Sequence, residues 1–221
     1  MAPSPYTKLN FENVGYNNVI CIPNTIDLKN YPFKKRPIRD GIKLLWVRSF
    51  SEIYNPSLAI KILKALKDKS INAQLCMVGP DNDGSLEKAK KLAQKLNIEV
   101  TFTGKLSKKE WIDLSKNYNV FISTTNFDNM PVSVIEAMAL GLPIISTNVG
   151  GMPFLIENNE DGILVKPNTV DAFINAIKKL KDEPEFTDKL VSEARAKAEK
   201  LDWNKVKYKW FSVLQLSLIH I

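Results

Sequence analysis

Histidine is almost missing from this sequence: of its 221 residues only His220, second from the C-terminal end, is one. That excludes Ser-His-Asp and Cys-His nucleophilic catalysis and any histidine-based zinc site, for want of a base or a ligand. Cysteine is nearly as scarce. Cys21 and Cys76 fall in apolar, strand-like runs, where they are expected to pack as small reduced hydrophobes rather than to pair. The nine glycines supply neither a G-x-G-x-x-G after the first strand-like run nor a Walker loop, which speaks against a dinucleotide oxidoreductase and a P-loop nucleotidase. No apolar run approaches the roughly 18 residues that cross a bilayer. Met1-Ala2-Pro3-Ser4-Pro5-Tyr6 lacks the basic-then-apolar pattern of a signal peptide.

What is present is ordinary in amount. Apolar residues make up 44% and charged residues 25%, the proportions of a globular domain, which excludes disordered and fibrous chains. The 31 basic and 24 acidic residues leave a net charge of +7, suited to anionic partners such as phosphorylated small molecules, nucleic acid or an anionic membrane surface. The lysines, however, run along helix-like stretches, as at Lys61, Lys64, Lys67 and Lys69 or Lys88, Lys90, Lys91 and Lys95. That is the pattern of solvated helix faces, so charge alone decides little.

Short β-branched runs alternate with longer helical ones. Strands are expected at 19–22, 42–47, 73–78, 100–102, 120–123, 144–147 and 163–165, and helices at about 56–68, 85–97, 107–117, 132–140 and 170–182. Leu58, Ile62, Leu63 and Leu66 form the one-sided apolar face of a helix packed on a sheet. Ser107-Lys108-Lys109-Glu110 reads as a capping box. The alternation predicts an α/β fold: a Rossmann-like parallel sheet with helices on both faces and extra helices at the C-terminus. Residues 4–15 read as a short helix capped by Ser4 and stopped at Gly15, and with no strand before it this helix looks like the tail of something missing. Pro184 is expected to open one late helix, and Trp203, Val206, Trp210, Phe211 and Leu214 to lie on the last. The final six residues, Leu216 to Ile221, continue no earlier pattern and read as an extraneous tail.

The stretch from Asn126 to Pro143 carries the chemistry. A strand ends near Ser123, a polar loop follows, Pro131 opens a helix and Gly141 closes it. Within that helix Glu136 stands among Val134, Ile135, Ala137, Met138, Ala139 and Leu140. A helix apolar nearly all round is buried, and its one carboxylate then needs a partner. Glu136 lies little more than a turn from the helix start, where the dipole favours negative charge. The free amides of Met130, Val132 and Ser133 suit phosphate or sugar oxygens. Two readings stand at this point: a carboxylate accepting from vicinal ribose hydroxyls, or a structural glutamate paired with a lysine or a backbone amide.

Asp128 and Glu136 are eight apart, and the run Glu136-Ala137-Met138-Ala139-Leu140-Gly141-Leu142-Pro143 is followed by Val149-Gly150-Gly151-Met152-Pro153. Together with Ile22-Pro23-Asn24-Thr25-Ile26-Asp27, Val78-Gly79, Phe102-Thr103-Gly104-Lys105-Leu106 and Asp161-Gly162-Ile163-Leu164-Val165, this resembles the acid-x7-Glu signature of retaining nucleotide-sugar glycosyltransferases of the GT-B fold, the family 4 type. The resemblance spans about residues 4–215. It implies a hexosyltransferase-type activity in which Glu136 holds the donor ribose. Asp128, with the backbone of Asn129, Met130, Pro131, Val132 and Ser133, would contact or orient the transferred sugar. Gly104-Lys105-Leu106 would present backbone groups to the base. Gly150-Gly151 would let the chain turn close to the donor, unless it is a plain loop turn. Asn24 would be structural. The implied domain plan is a remnant of an N-terminal acceptor domain at 1–18, a donor-binding domain at 19–200 and a crossover helix at 201–215.

Two departures from the family pattern stand out. The first acid of the signature, usually glutamate, is Asp128, one methylene shorter. The Gly-Arg and Lys-Gly that usually bind the diphosphate are replaced: Arg48 stands at the glycine position, Ser49 at the arginine position and Tyr54 at the lysine position. Arg48 is left to clamp a phosphate from the neighbouring backbone position or to form a structural salt bridge. By resemblance the reaction needs no metal and no cofactor beyond the nucleotide-diphosphate sugar. The leaving diphosphate would help deprotonate the acceptor hydroxyl, and the protein would contribute positioning and electrostatics. The acceptor, a saccharide or a lipid-linked one, would sit on the missing N-terminal domain, so the chain is expected to bind donor and transfer nothing alone. The alternative is a non-catalytic nucleotide-sugar-binding subunit of a two-chain transferase. Nucleic acid is not an expected partner; a cytoplasmic location is, with peripheral association at the inner face of the membrane.

Overall fold

The computed structural model describes the backbone of residues 1–218 and side chains through Gln215. Its elements run α1 (Pro5–Asn13), β1 (Ile42–Val47), α2 (Pro56–Asp68), β2 (Ala73–Val78), α3 (Ser85–Lys95), β3 (Thr101–Gly104), α4 (Lys108–Ser115), β4 (Val120–Ser123), α5 (Val132–Leu140), β5 (Ile144–Thr147), α6 (Met152–Leu155), β6 (Ile163–Val165), α7 (Val170–Asp182), α8 (Pro184–Lys200) and α9 (Trp203–Leu218). Single 3-10 turns sit at Leu28–Asn30 and Glu52–Tyr54. The six strands form one sheet in the order β3-β2-β1-β4-β5-β6, with every pairing parallel.

The sheet divides the core because side chains alternate across a strand. Ile42, Leu44 and Trp46 of β1 face one way, onto Leu58, Ile62, Leu63 and Leu66 of α2 and Phe173 and Ile177 of α7. Leu45 faces the other way with Cys76, Val78 and Phe121, onto Trp111 of α4, the α5 helix and Ala194 and Ala198 of α8. Both faces are covered, as an all-parallel sheet requires. This is the Rossmann-like architecture expected from the alternation.

The local signals hold as well. Ser107 accepts from the Glu110 amide and Glu110 accepts from the Ser107 amide, a complete capping box. Ser4 caps α1, Pro184 opens α8, and Gly141 closes α5 with φ 80°. One expected strand is absent. Residues 19–22 make only an isolated bridge between Cys21 and Ala2, because their backbone groups are taken by the N-terminal residues: the Ala2 amide donates to Ile20 and the Ile22 amide to Ala2. The run is apolar in composition but lies off the sheet, and Ile20 is exposed. Both cysteines are free, Cys76 buried and Cys21 half-buried. The backbone of α9 continues through Leu218 into the segment set apart as a tail, the rest of which lies outside the described residues. Among the described residues no helix is long and apolar enough to cross a membrane.

Candidate functional site

Parallel strands end on one edge of the sheet, and the chain leaves adjacent β1 and β4 in opposite directions, β1 feeding β2 and β3 on one side while β4 feeds β5 and β6 on the other. Such a switch point opens a crevice beyond the strand ends. Here it is a cleft of about 470 Å³, walled by Arg48 and Ser49 after β1, Gly79 and Pro80 after β2, Lys105 to Lys108 after β3, and Val132, Ser133 and Glu136 after β4.

Glu136 is 2% exposed yet forms part of that wall. Its Oε1 accepts from the Tyr31 hydroxyl at 2.7 Å and pairs with the Lys108 ammonium. Its Oε2 accepts from none of the described residues. Glu136 is thus paired with a lysine, as the structural reading has it, and it also faces the cleft with one oxygen open. Burial, together with the Glu136 carboxylate, pushes the Tyr31 hydroxyl well above its usual value, so Tyr31 stays protonated and donates. The Val132 and Ser133 amides, at the start of α5, donate to no group among the described residues and border the same cleft.

Arg48 reaches the cleft from the end of β1. Its Nη2 lies 2.8 Å from Asp128 Oδ2 and 3.0 Å from the Tyr54 hydroxyl, and its guanidinium carbon sits 4.2 Å from the Tyr54 ring centre. Its Nε is buried without a hydrogen-bond partner. Nη1 is engaged by none of the described residues. Asp128 itself is not on the cleft wall. It borders a separate space of about 10 Å³ beside Trp46, Arg48 and Tyr54, room for about one water. Its other oxygen accepts from the Asn129 amide. Burial raises the Asp128 carboxyl above its usual value, partly offset by Arg48 and that amide.

The structure thus gathers Arg48, Lys105, Leu106, Val132, Ser133 and Glu136 around one cleft, and the remaining expected residues are not on its wall. Asn24 Nδ2 donates to the Met130 carbonyl at 2.8 Å, fixing the loop before α5. The Gly104 carbonyl is occupied by the Gly79 amide. Gly150 and Gly151 follow β5 and pack on the Asp128 loop: a Cβ on Gly151 would lie 1.8 Å from the Asn129 carbonyl oxygen, and one on Gly150 2.4 Å from that of Asp128. Close approach of two backbones accounts for the pair. Sequence reasoning missed Tyr31 and did not single out Lys108 as the lysine that pairs with Glu136. Tyr31 lies in a stretch with no helical or strand periodicity, 105 residues from its partner, so nothing local marks it.

Residues 28–197 match the family model for glycosyl transferases group 1. The chain belongs to that family. It is 28% identical to an uncharacterized glycosyltransferase of Haemophilus influenzae, over 92% of this chain and 57% of that protein. It is also 28% identical to sulfoquinovosyl transferase SQD2 of Arabidopsis thaliana, over 66% of this chain and 28% of that protein. Its fold is similar to that of sucrose-phosphate synthase from Thermosynechococcus elongatus, with a TM-score of 0.86, 22% identity and coverage of 100% of this chain and 58% of the other. It is similar too to Anabaena HepE, solved with UDP-glucose, with a TM-score of 0.84, 19% identity and coverage of 97% and 62%. These neighbours are GT-B glycosyltransferases, and the Rossmann-like fold of this chain matches GT-B C-terminal domains. It spans less than two thirds of the length of each of these relatives and solved structures.

Proposed function

We propose that the cleft binds a nucleoside-diphosphate sugar and that the chain is the donor-binding part of a retaining hexosyltransferase. The carrying observation is Glu136: a nearly buried carboxylate on a cleft wall, held by one oxygen and open at the other. A charge is kept in such a place at a cost, and a vicinal diol is a ligand that matches it. The ribose then lies at Glu136, with the base towards Gly79, Pro80 and Leu106. The diphosphate faces the Val132 and Ser133 amides, the positive end of α5, and Arg48 Nη1. Asp128 and Tyr54 orient that guanidinium by holding Nη2, so Asp128 acts through Arg48. HepE, solved with UDP-glucose, supports a nucleotide sugar as the ligand class.

In this reading charge on the leaving diphosphate is met by Arg48, Lys105 and helix amides, and no resident metal is invoked. The acceptor, a saccharide or lipid-linked hydroxyl compound, is supplied by a second domain, so this chain alone binds donor without transferring it. The enzyme works in the cytoplasm, with peripheral membrane contact where the acceptor is lipid-linked. Thermal unfolding and calorimetry with UDP-, GDP- and ADP-sugars test this. At least one is expected to raise the Tm, and Glu136→Gln is expected to weaken it about tenfold or more, since hydrogen bonds to a charged group carry about 1.5–3 kcal/mol. No stabilisation by any of them, or equal binding by Glu136→Gln, overturns the reading.

A further inference from the structure

We propose that Tyr31 is a positioning residue of the donor site: its hydroxyl locks one oxygen of Glu136 so that the other is presented to the ligand's ribose diol. The inference rests on the donor-site reading above and adds to it the element that aims the carboxylate.

Two protein donors reach Oε1, and they differ in kind. Lys108 is 65% exposed, on a flexible side chain at the first turn of α4. Tyr31 is 6% exposed and braced at both ends. Its hydroxyl donates to Glu136 in the middle of α5, and its carbonyl accepts from Arg195 Nη1 at 2.9 Å. The same Nη1 donates at 2.6 Å to the carbonyl of Ala139, near the C-terminal end of α5. Its amide closes the 3-10 turn on Leu28 at 3.0 Å. The ring is therefore fixed against the helix that carries the carboxylate, while the lysine is free to leave.

An oxygen with two donors has no lone pair left for a third. A diol that engages both carboxylate oxygens must take the place of one donor on Oε1, and the exposed lysine is the one that yields. Lys108 then stands on the wall beside Lys105, free to meet a phosphate of the same ligand. Tyr31 keeps its bond throughout and prevents the carboxylate from turning after the departing ammonium. Without the hydroxyl, Glu136 is held by the mobile lysine alone, and recognition of the diol is the property that suffers.

The test is the ratio of affinities for a ribonucleoside diphosphate and its 2′-deoxy counterpart. The full chain is used, with whichever of UDP, GDP and ADP binds it most tightly. Wild type is expected to lose about tenfold or more on removal of the 2′-hydroxyl, a charge-assisted hydrogen bond. Tyr31→Phe, which keeps the ring, is expected to bring that ratio to about threefold or less, and Lys108→Met to leave it near wild type while weakening both nucleotides. Circular dichroism and Tm show that each variant is folded. Should Tyr31→Phe destabilise the chain, the ratio is read below its Tm, where it is independent of the folded fraction. If Glu136→Gln lowers the ratio and Tyr31→Phe does not, Tyr31 is only structural and the proposal fails while the donor site stands. If Lys108→Met alone erases discrimination, the lysine is the anchor and the proposal also fails. If Glu136→Gln leaves the ratio unchanged, or no nucleotide binds, the donor-site reading falls and takes this inference with it.

Discussion

The Arg48 guanidinium and the Asp128 carboxylate meet at 2.8 Å, joining the loops that follow β1 and β4, the two strands at the switch point. Asp128 is largely buried, so removing the arginine strands a desolvated carboxylate. Arg48→Met is expected to cost about 2–3 kcal/mol of stability and to weaken nucleoside-diphosphate binding about tenfold. Adding Asp128→Asn is expected to restore much of the stability and none of the binding. Chemical denaturation and calorimetry on the two single variants and the double variant close that cycle; equal restoration of both properties contradicts the phosphate role of Arg48.

Gly151 and Gly84 separate two ways in which a glycine is required. A Cβ at Gly151 would lie 1.8 Å from the Asn129 carbonyl oxygen, whereas one at Gly84 meets nothing within 4 Å and only the φ of +80° resists a side chain. Gly151→Ala is expected to destabilise by about 2 kcal/mol or more through forced backbone movement, and Gly84→Ala by about 1 kcal/mol. Thermal unfolding of the two variants measures the difference, and equal Tm losses contradict the close approach.

Asp83 ties the loop after β2 to the one after β1. Its carboxylate accepts from the Ser85 amide at 3.1 Å, from the Ser51 hydroxyl at 2.9 Å and from the Glu52 amide at 2.9 Å. Hydrogen bonds to Ser85, Glu52 and Ser51 hold its carboxyl well below the ordinary 3.8. A depressed folded value means that the unfolded chain binds more protons in the window below 3.8, so the stability from Asp83 is present above it and lost as the pH falls through it. The Tm difference between wild type and Asp83→Asn is therefore expected at neutral pH and to shrink towards zero on acidification below 3.8. A difference that persists or grows there contradicts this assignment.

Arg195 holds the C-terminal end of α5 through Ala139 and the backbone of Tyr31. Arg195→Met leaves both carbonyls short of a charged donor and is expected to cost about 2 kcal/mol. Denaturant unfolding measures it.

The fold was legible because its signals are local. Apolar runs of strand length between amphipathic helices, a complete capping box at Ser107 and Glu110 and glycine stops such as Gly141 each depend on a few neighbours in the chain, and together they specify a parallel α/β sheet. The run at 19–22 shows where such reasoning ends: a strand is made by its partner, and that run has only Ala2.

The amino-acid sequence by itself determined the layered sheet and the buried helix around Glu136, since composition and period act within a few residues. Tertiary structure alone decided which groups meet that carboxylate. Tyr31 comes from 105 positions away and Lys108 from 28, and it was the crossing of the chain at β1 and β4 that turned Asp128 onto Arg48 instead of into the cleft. Pairing at such separations is fixed by how elements pack on the sheet, which no local pattern encodes.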